Sequence, residues 1–252
     1  MKVYFVGAGP GDPELLTIKA QRLLLSAPCC IWAGSLINPD IMRLVPDEAE
    51  VHDSAGLTLA QTTEIVLRAR DHNMDVVRLH TGEPAIYGAI GEQMAELDRH
   101  GVAYEVVPGI SSFQAAAAAV CKELTAPEVA QTVILTRTPG RTPMPEREYL
   151  AHLAPIQATL CLFLSTGKIA GIAAELTPDY GADCPAVVVY HASWPDQLVV
   201  EGTLADIAGK VSAAGLTKTA IILVGRALGK SQAASKLYDP AFTHEYRRGS
   251  NG

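Results

Sequence analysis

Gly7, Gly9 and Gly11 lie one residue apart in the stretch FVGAGPGDPELLT, and Asp12 follows at once. A glycine loop between a strand and a helix lets the backbone approach a ligand closely. A dinucleotide-binding loop reads G-x-G-x-x-G, but here Asp12 stands at the third glycine position. A carboxylate at a helix N-terminus competes with a diphosphate for the same N–H groups. A G-x-x-x-x-G-K-[ST] loop for nucleoside triphosphates does not occur either. The loop therefore implies close backbone approach without phosphate, or a plain strand-to-helix turn.

Four further stretches carry polar groups in turn-rich settings. In LHTGEPAIYG (79–88), Glu83 is the only carboxylate, fit to accept hydrogen bonds from a ligand or to cap the next helix. Tyr87 suits packing as well as function. In VVPGISSF (106–113), Ser111 and Ser112 cap a helix or offer hydroxyl and N–H groups to a ligand. TRTPGRTPMPE (136–146) carries Arg137 and Arg141 between prolines that stiffen it; the two guanidinium groups suit bidentate pairing with carboxylates, against the alternative of a solvated loop. YHASWPDQ (190–197) contains a single histidine, His191, which is weak evidence for a base. No nucleophile–base pair and no paired acids stand at a diagnostic spacing. Cys29, Cys30, Cys121, Cys161 and Cys184 form no C-x-x-C pair and no ligand spacing with histidine, so they read as reduced, buried thiols, and no metal centre is expected. Such a site favours chemistry in which two bound molecules react once aligned.

These loops need strands and helices to hold them. Lys2 to Ala8 reads as a buried strand, and Asp12-Pro13-Glu14 opens a helix whose apolar face takes in Leu15, Leu16, Ile18, Ala20, Leu23 and Leu24. Strands at 29–33, 75–79 and 103–107 alternate with helices at 59–70, 91–99 and 112–120. This alternation predicts an α/β fold with a largely parallel sheet. After 121–127 the pattern restarts with strands at 131–137, 158–164, 186–192 and 219–225, and with a strand running into a helix at 196–204. More strands and fewer long helices are expected in this half. We read two α/β domains, 1–115 and 125–230, with an inter-domain cleft and a C-terminal tail at 231–252. Ligand-binding loops in open α/β sheets follow the carboxyl ends of strands, where four of the five stretches fall.

The 252-residue chain is 48% hydrophobic and 19% charged, a globular composition. Its net charge of −7 argues against nucleic acid as partner. No signal peptide and no membrane span is visible, so a cytoplasmic protein is expected.

Taken together, VGAGPGDPELLTIKA, RLHTGEPAIYG, VVPGISSF and TAIILVG resemble the tetrapyrrole (corrin/porphyrin) methyltransferases, in order over residues 1–228. WAGSLINPDI, ELTAPEVAQTVILTRTPGRTPMP, YHASWPDQLVVEGTL and SKLYDPAFTHEYR narrow the resemblance to a branch that methylates a precorrin ring carbon in cobalamin biosynthesis. The resemblance implies the tetrapyrrole methylase fold, a homodimer, and S-adenosyl-L-methionine as methyl donor. It places cofactor contacts at Pro10, Thr81, Gly82, Glu83, Ile86, Ser111, Ser112, Leu164, Ala192, Thr219 and Ala220. Where the family usually reads G-D-P, this chain has Gly82-Glu83-Pro84, a carboxylate one methylene longer. The acidic tetrapyrrole substrate, metal-free or carrying cobalt, implies a local basic patch on an acidic protein. Arg137 and Arg141 are its candidates, with Ser35 and Asp12 as further substrate contacts and no catalytic base assigned. Two rivals are a dinucleotide-dependent oxidoreductase and a non-catalytic tetrapyrrole carrier. Asp12 opposes the first, as does the lack of an acidic ribose anchor after the second strand, where CIWAGS stands. Turnover decides the second.

Overall fold

The computed structural model describes residues 1–34, 36–140, 142–230 and 239–249. Ser35 and Arg141 lie outside the described residues, as does half of the expected tail. The chain forms two compact units, one of residues 1–115 with 191–197, the other of 116–190 with 198 onward. The segment 191–197, expected within the second domain, thus belongs to the first unit.

The first unit carries strands β1 (Val3–Gly7), β2 (Cys29–Trp32), β3 (Glu50–Asp53), β4 (Val76–His80) and β5 (Tyr104–Val107), with helices α1 (Ile18–Leu25), α2 (Pro39–Met42), α3 (Leu59–Asp71), α4 (Ile90–Arg99) and the start of α5 (Ser112–Ala119). The strands order as β3-β2-β4-β1-β5, and every pair is parallel. Alternate residues of β1 feed two cores. Val3 and Phe5 pack with Ile65 and Val66 of α3, while Val6 and Ala8 pack with Ala20 and Leu24 of α1. Burial on both faces is what a parallel sheet requires, and it explains the nearly continuous apolar run of β1. β3 was not anticipated: EVHD is polar and its exposed edge position asks for no apolar pattern.

The helix expected from residue 13 is two pieces. Asp12 accepts from Glu14 N at 2.8 Å and caps only a single 3-10 turn, Pro13–Leu15. α1 starts afresh at Ile18, capped by Thr17, whose Oγ1 accepts from Ala20 N at 3.1 Å. The restart rotates the apolar face, so Ile18 is 87% exposed while Ala20 and Leu24 are buried. α3 carries a full capping box, in which Thr58 and Gln61 each bond the other's backbone.

The second unit carries β6 (Val133–Arg137), α6 (Leu150–Leu153), β7 (Thr159–Phe163), α7 (Ile169–Tyr180), β8 (Pro185–Tyr190), β9 (Leu198–Thr203), α8 (Ile207–Ala213) and β10 (Ala220–Val224). Its sheet orders as β6-β7-β10-β8-β9, and only β6–β7 is parallel. The second sheet is therefore mostly antiparallel, in contrast to the all-parallel first sheet. β10 enters between β7 and β8 antiparallel to both, and β8 and β9 form an antiparallel pair. α7 spans 12 residues with Pro178 in its last turn, a helix longer than anticipated in this half. Leu176, Ile172 and Ile207 pack with Leu160, Leu162 and Ile222 in one core.

The two faces of α1 give opposite substitution effects. Leu24→Ala should cost about 2–5 kcal/mol, as a buried leucine truncated to a cavity, and Ile18→Ala less than about 0.5 kcal/mol. Chemical denaturation followed by fluorescence reads this, since the chain's two tryptophans, Trp32 and Trp194, both belong to the first unit.

Candidate functional site

Because β4, β1 and β5 are adjacent and parallel, the loops after them emerge side by side. Gly9 and Gly82 exchange backbone bonds: Gly82 N donates to Gly9 O at 2.9 Å, and Gly9 N to Gly82 O at 3.3 Å. A Cβ on Gly7 would stand 2.6 Å from Gly109 Cα and from Gly82 O, and one on Gly109 would stand 2.2 Å from Gly82 O. Three loops thus meet backbone to backbone, at positions where any side chain would force them apart. Glu83 fastens the same junction. Its Oε2 accepts from Gly109 N at 2.8 Å and its Oε1 from Ala85 N at 2.9 Å. The carboxylate is committed to backbone N–H groups here.

The first loop is clamped from its other side by 191–197. Trp194 Nε1 donates to Pro10 O at 2.9 Å, and Asp12 N donates to Ser193 Oγ at 3.0 Å. The indole fills the space over Gly11, where a Cβ would lie 2.0 Å from its ring. Buried Asn38 donates from Nδ2 to Gly11 O at 2.9 Å. His191 stacks on Trp194 with ring centroids 4.6 Å apart, and its Nδ1 lies 2.9 Å from Asp196 Oδ1. Asp12 is therefore held within the protein by the N–H groups of Glu14 and Leu15 and by Ser193.

Ser111, 3% exposed, begins α5: Gln114 N and Ala115 N donate to its carbonyl, and its own N–H donates to the Gln114 side chain at 2.9 Å. Pro10, Asp12, Thr81, Gly82, Glu83, Ile86, Ser111 and Ser112 are all gathered at this end of the first sheet, and Ala192 joins through the clamp. In the second unit, the register of β10 with β7 and β8 sets Leu164, just past β7, and Ala220, the first residue of β10, at one edge. Leu164 is 78% exposed at φ 53°, and Thr219 has φ 57°. His191 and Ser193, which flank Ala192, have φ 45° and 71°. Left-handed backbone at non-glycine residues costs on the order of 1–3 kcal/mol each and gathers at ligand sites. The four angles fall on or beside carried-over cofactor positions.

Arg137 is engaged within its own loop. Its guanidinium donates to Pro143 O at 2.6 Å and to Thr138 O and Thr142 O at 3.4 Å each. These bonds tie Arg137 to Thr138, Thr142 and Pro143. Trp194, Asn38 and His80 were not singled out from the sequence. SWPDQ marked the right segment, but no local pattern shows that an indole lands on a loop 184 residues away.

His80 ends β4, immediately before Thr81, and is 6% exposed against Phe5. Its Nε2 has no hydrogen-bond partner among the described residues. Burial, helped by the nearby Arg78 charge, holds its pKa down at about 3.

The chain belongs to the Tetrapyrrole (Corrin/Porphyrin) Methylases, whose family profile matches residues 2–208. The cobalt-precorrin-4 C(11)-methyltransferase of Methanocaldococcus jannaschii is 49% identical over 98% of this chain and 96% of its own. The precorrin-4 C(11)-methyltransferase of Pseudomonas aeruginosa is 48% identical over 99% of this chain and 100% of its own. Among solved structures, a cobalt precorrin-4 methyltransferase of cobalamin biosynthesis superposes with TM-score 0.89 at 45% identity, covering 91% of this chain and 96% of that one. A Thermus thermophilus uroporphyrin-III C-methyl transferase complexed with S-adenosyl homocysteine gives TM-score 0.75 at 32% identity, covering 92% and 97%. Among the described residues no helix is long and apolar enough to cross a membrane.

His80 makes an acid-side prediction. Its folded pKa lies below the unfolded value of about 6.5, so below that pH the unfolded chain binds a proton that the folded chain refuses. Its contribution is present in full above pH 6.5 and falls by up to about 1.4 kcal/mol per pH unit toward pH 3. Unfolding free energies measured from pH 7 to 5 should show this slope, and His80→Gln should flatten it.

Proposed function

We propose that this chain transfers a methyl group from S-adenosyl-L-methionine to C-11 of precorrin-4, giving precorrin-5 and S-adenosylhomocysteine. The observation that carries this reading is identity of 48–49%, over nearly the whole of both chains, to relatives named for that reaction. The solved uroporphyrin-III enzyme, a sister activity, stands lower at 32%. The same two relatives support the metal-free and the cobalt-bound substrate equally. The metal-free form is the first reading and the cobalt complex the second.

The residues present suit such a donor. Bound S-adenosyl-L-methionine supplies a methyl group activated by its sulfonium charge. The glycine junction and the Trp194 clamp fix Pro10, Thr81 and Gly82 before any ligand arrives, so little ordering entropy remains to be lost on binding. Leu164, exposed on strained backbone, offers an apolar face of the kind a nucleoside base covers, and Thr219 and Ala220 stand at the same edge. Ser111 and Ser112 supply polar groups at the start of α5. Glu83 acts by holding Gly109 and Ala85 in place, a positioning role rather than a direct contact. The ring carbon attacked is already electron-rich, so the protein has to align two ligands and exclude water. Arg141 is the candidate partner for the acidic side chains of the tetrapyrrole. A homodimer accompanies this reading.

Incubation with labelled S-adenosyl-L-methionine and each form of precorrin-4, followed by product mass and position of label, tests the assignment. One added methyl at C-11 is expected; an otherwise competent mixture that yields no labelled corrinoid points to a carrier. Arg141→Ala should raise the KM for the tetrapyrrole at least about tenfold, the scale of a lost charge-assisted hydrogen bond, while cofactor affinity stays unchanged. Leu164→Ala should do the reverse, weakening the cofactor and sparing the tetrapyrrole KM.

A further inference from the structure

Away from the loops after β1, β4 and β5, the outer edge of the first sheet brings together Cys29 of β2 with Glu50 and His52 of β3. Parallel register pairs Cys29 with Glu50, and the two-residue period of a strand turns His52 to the same face. The Cys29 thiol, a Glu50 carboxylate oxygen and an imidazole nitrogen of His52 all lie within 4.8 Å of one another. His52 Nε2 stands 3.7 Å from Glu50 Oε2, is shielded from solvent, and has no hydrogen-bond partner among the described residues. A shielded, unpartnered ring nitrogen beside a carboxylate and a thiol is unsatisfied as it stands, and a cation satisfies all three at once.

We propose that Cys29, Glu50 and His52 form a binding site for a zinc-type divalent metal ion, with water as fourth ligand. The donor set selects the metal. One sulfur, one imidazole and one carboxylate suit borderline-soft Zn²⁺ over Mg²⁺ or Ca²⁺, which take oxygen shells. Bonds of about 2.0–2.3 Å in a tetrahedron hold donors roughly 3.3–3.8 Å apart. The His52–Glu50 separation already falls in that range, and small side-chain rotations bring in Cys29. Thiolate and carboxylate together neutralise the ion. Cys29 is fully buried, whereas Glu50 has a side chain 56% exposed at the sheet edge, which gives the ion its route from solvent. The facing cation is Arg68 of α3, which lies 3.5 Å from Glu64 and is partly neutralised by it. The ion would tie the polar edge strand β3 to β2, where few apolar contacts do so.

The test uses the full chain, stripped with chelator and titrated with Co²⁺ and then Zn²⁺. One equivalent of Co²⁺ should give the near-ultraviolet thiolate charge-transfer band and the visible bands of four-coordinate cobalt, and Zn²⁺ should displace it. Cys29→Ser should abolish the near-ultraviolet band. His52→Ala, a change at the sheet edge, should weaken Co²⁺ binding tenfold or more and remove the Zn²⁺-induced rise in Tm. Absence of the band from the intact protein at saturating Co²⁺ overturns the proposal without recourse to any variant. A band that survives Cys29→Ser, which places the metal on another thiol, overturns it as well.

Discussion

Backbone packed against backbone at Gly7, Gly82 and Gly109 sets the terms for the rest of the first unit. Contact this close leaves no volume for a β-carbon at Gly7 or Gly109, since one at Gly109 would lie 2.2 Å from Gly82 O. It also brings polar backbone groups out of water, so they need partners. Gly9 and Gly82 answer with reciprocal hydrogen bonds, and Glu83 answers with a carboxylate shared between Gly109 N and Ala85 N. The glycines of the first loop therefore serve loop-to-loop contact. A phosphate cradle needs free N–H groups pointing outward, and Asp12 and Glu83 occupy the ones that this arrangement would have offered.

The clamp of 191–197 follows the same logic from the other side. Gly11 has no side chain, so the Trp194 indole lies flat over it and donates to Pro10 O. His191 covers the indole and is held by Asp196. Forming this short connection between β8 and β9 requires left-handed backbone at His191 and Ser193, an unfavourable local conformation that only surrounding contacts sustain. The strain at Leu164 and Thr219 has the same character.

The structure adds to the sequence-based expectation at three places: a helix start, the strand directions of the second sheet, and the loop of Arg137. Asp12-Pro13-Glu14 has the composition of a helix start, and locally it is one, but the turn ends after Leu15 and Thr17 caps a new helix. The strands of the second half are short and apolar in either orientation, so the sequence carried no expectation of their direction. Direction depends on which strand enters between which, and β10 enters between β7 and β8. Arg137 was matched to substrate carboxylates by its charge, and in the fold it also donates to three carbonyls of its own loop.

Local chemistry settles what depends on near neighbours. Strand and helix periodicity, glycine turns, caps and a set of ordered motifs were sufficient to determine an α/β chain of two domains and membership of the tetrapyrrole methylases. These features are set by steric and hydrogen-bonding demands within a few residues, and they leave a mark on each stretch. Tertiary structure alone decided that an indole at position 194 closes over Gly11, that Glu83 turns inward to Gly109, and that Cys29, Glu50 and His52 share one face. The last group was invisible as a ligand set because its members stand 21 and 23 residues from Cys29 along the chain, and β3 itself is too polar to announce a strand. Register between parallel strands is a property of the whole sheet, fixed by the two cores that flank it.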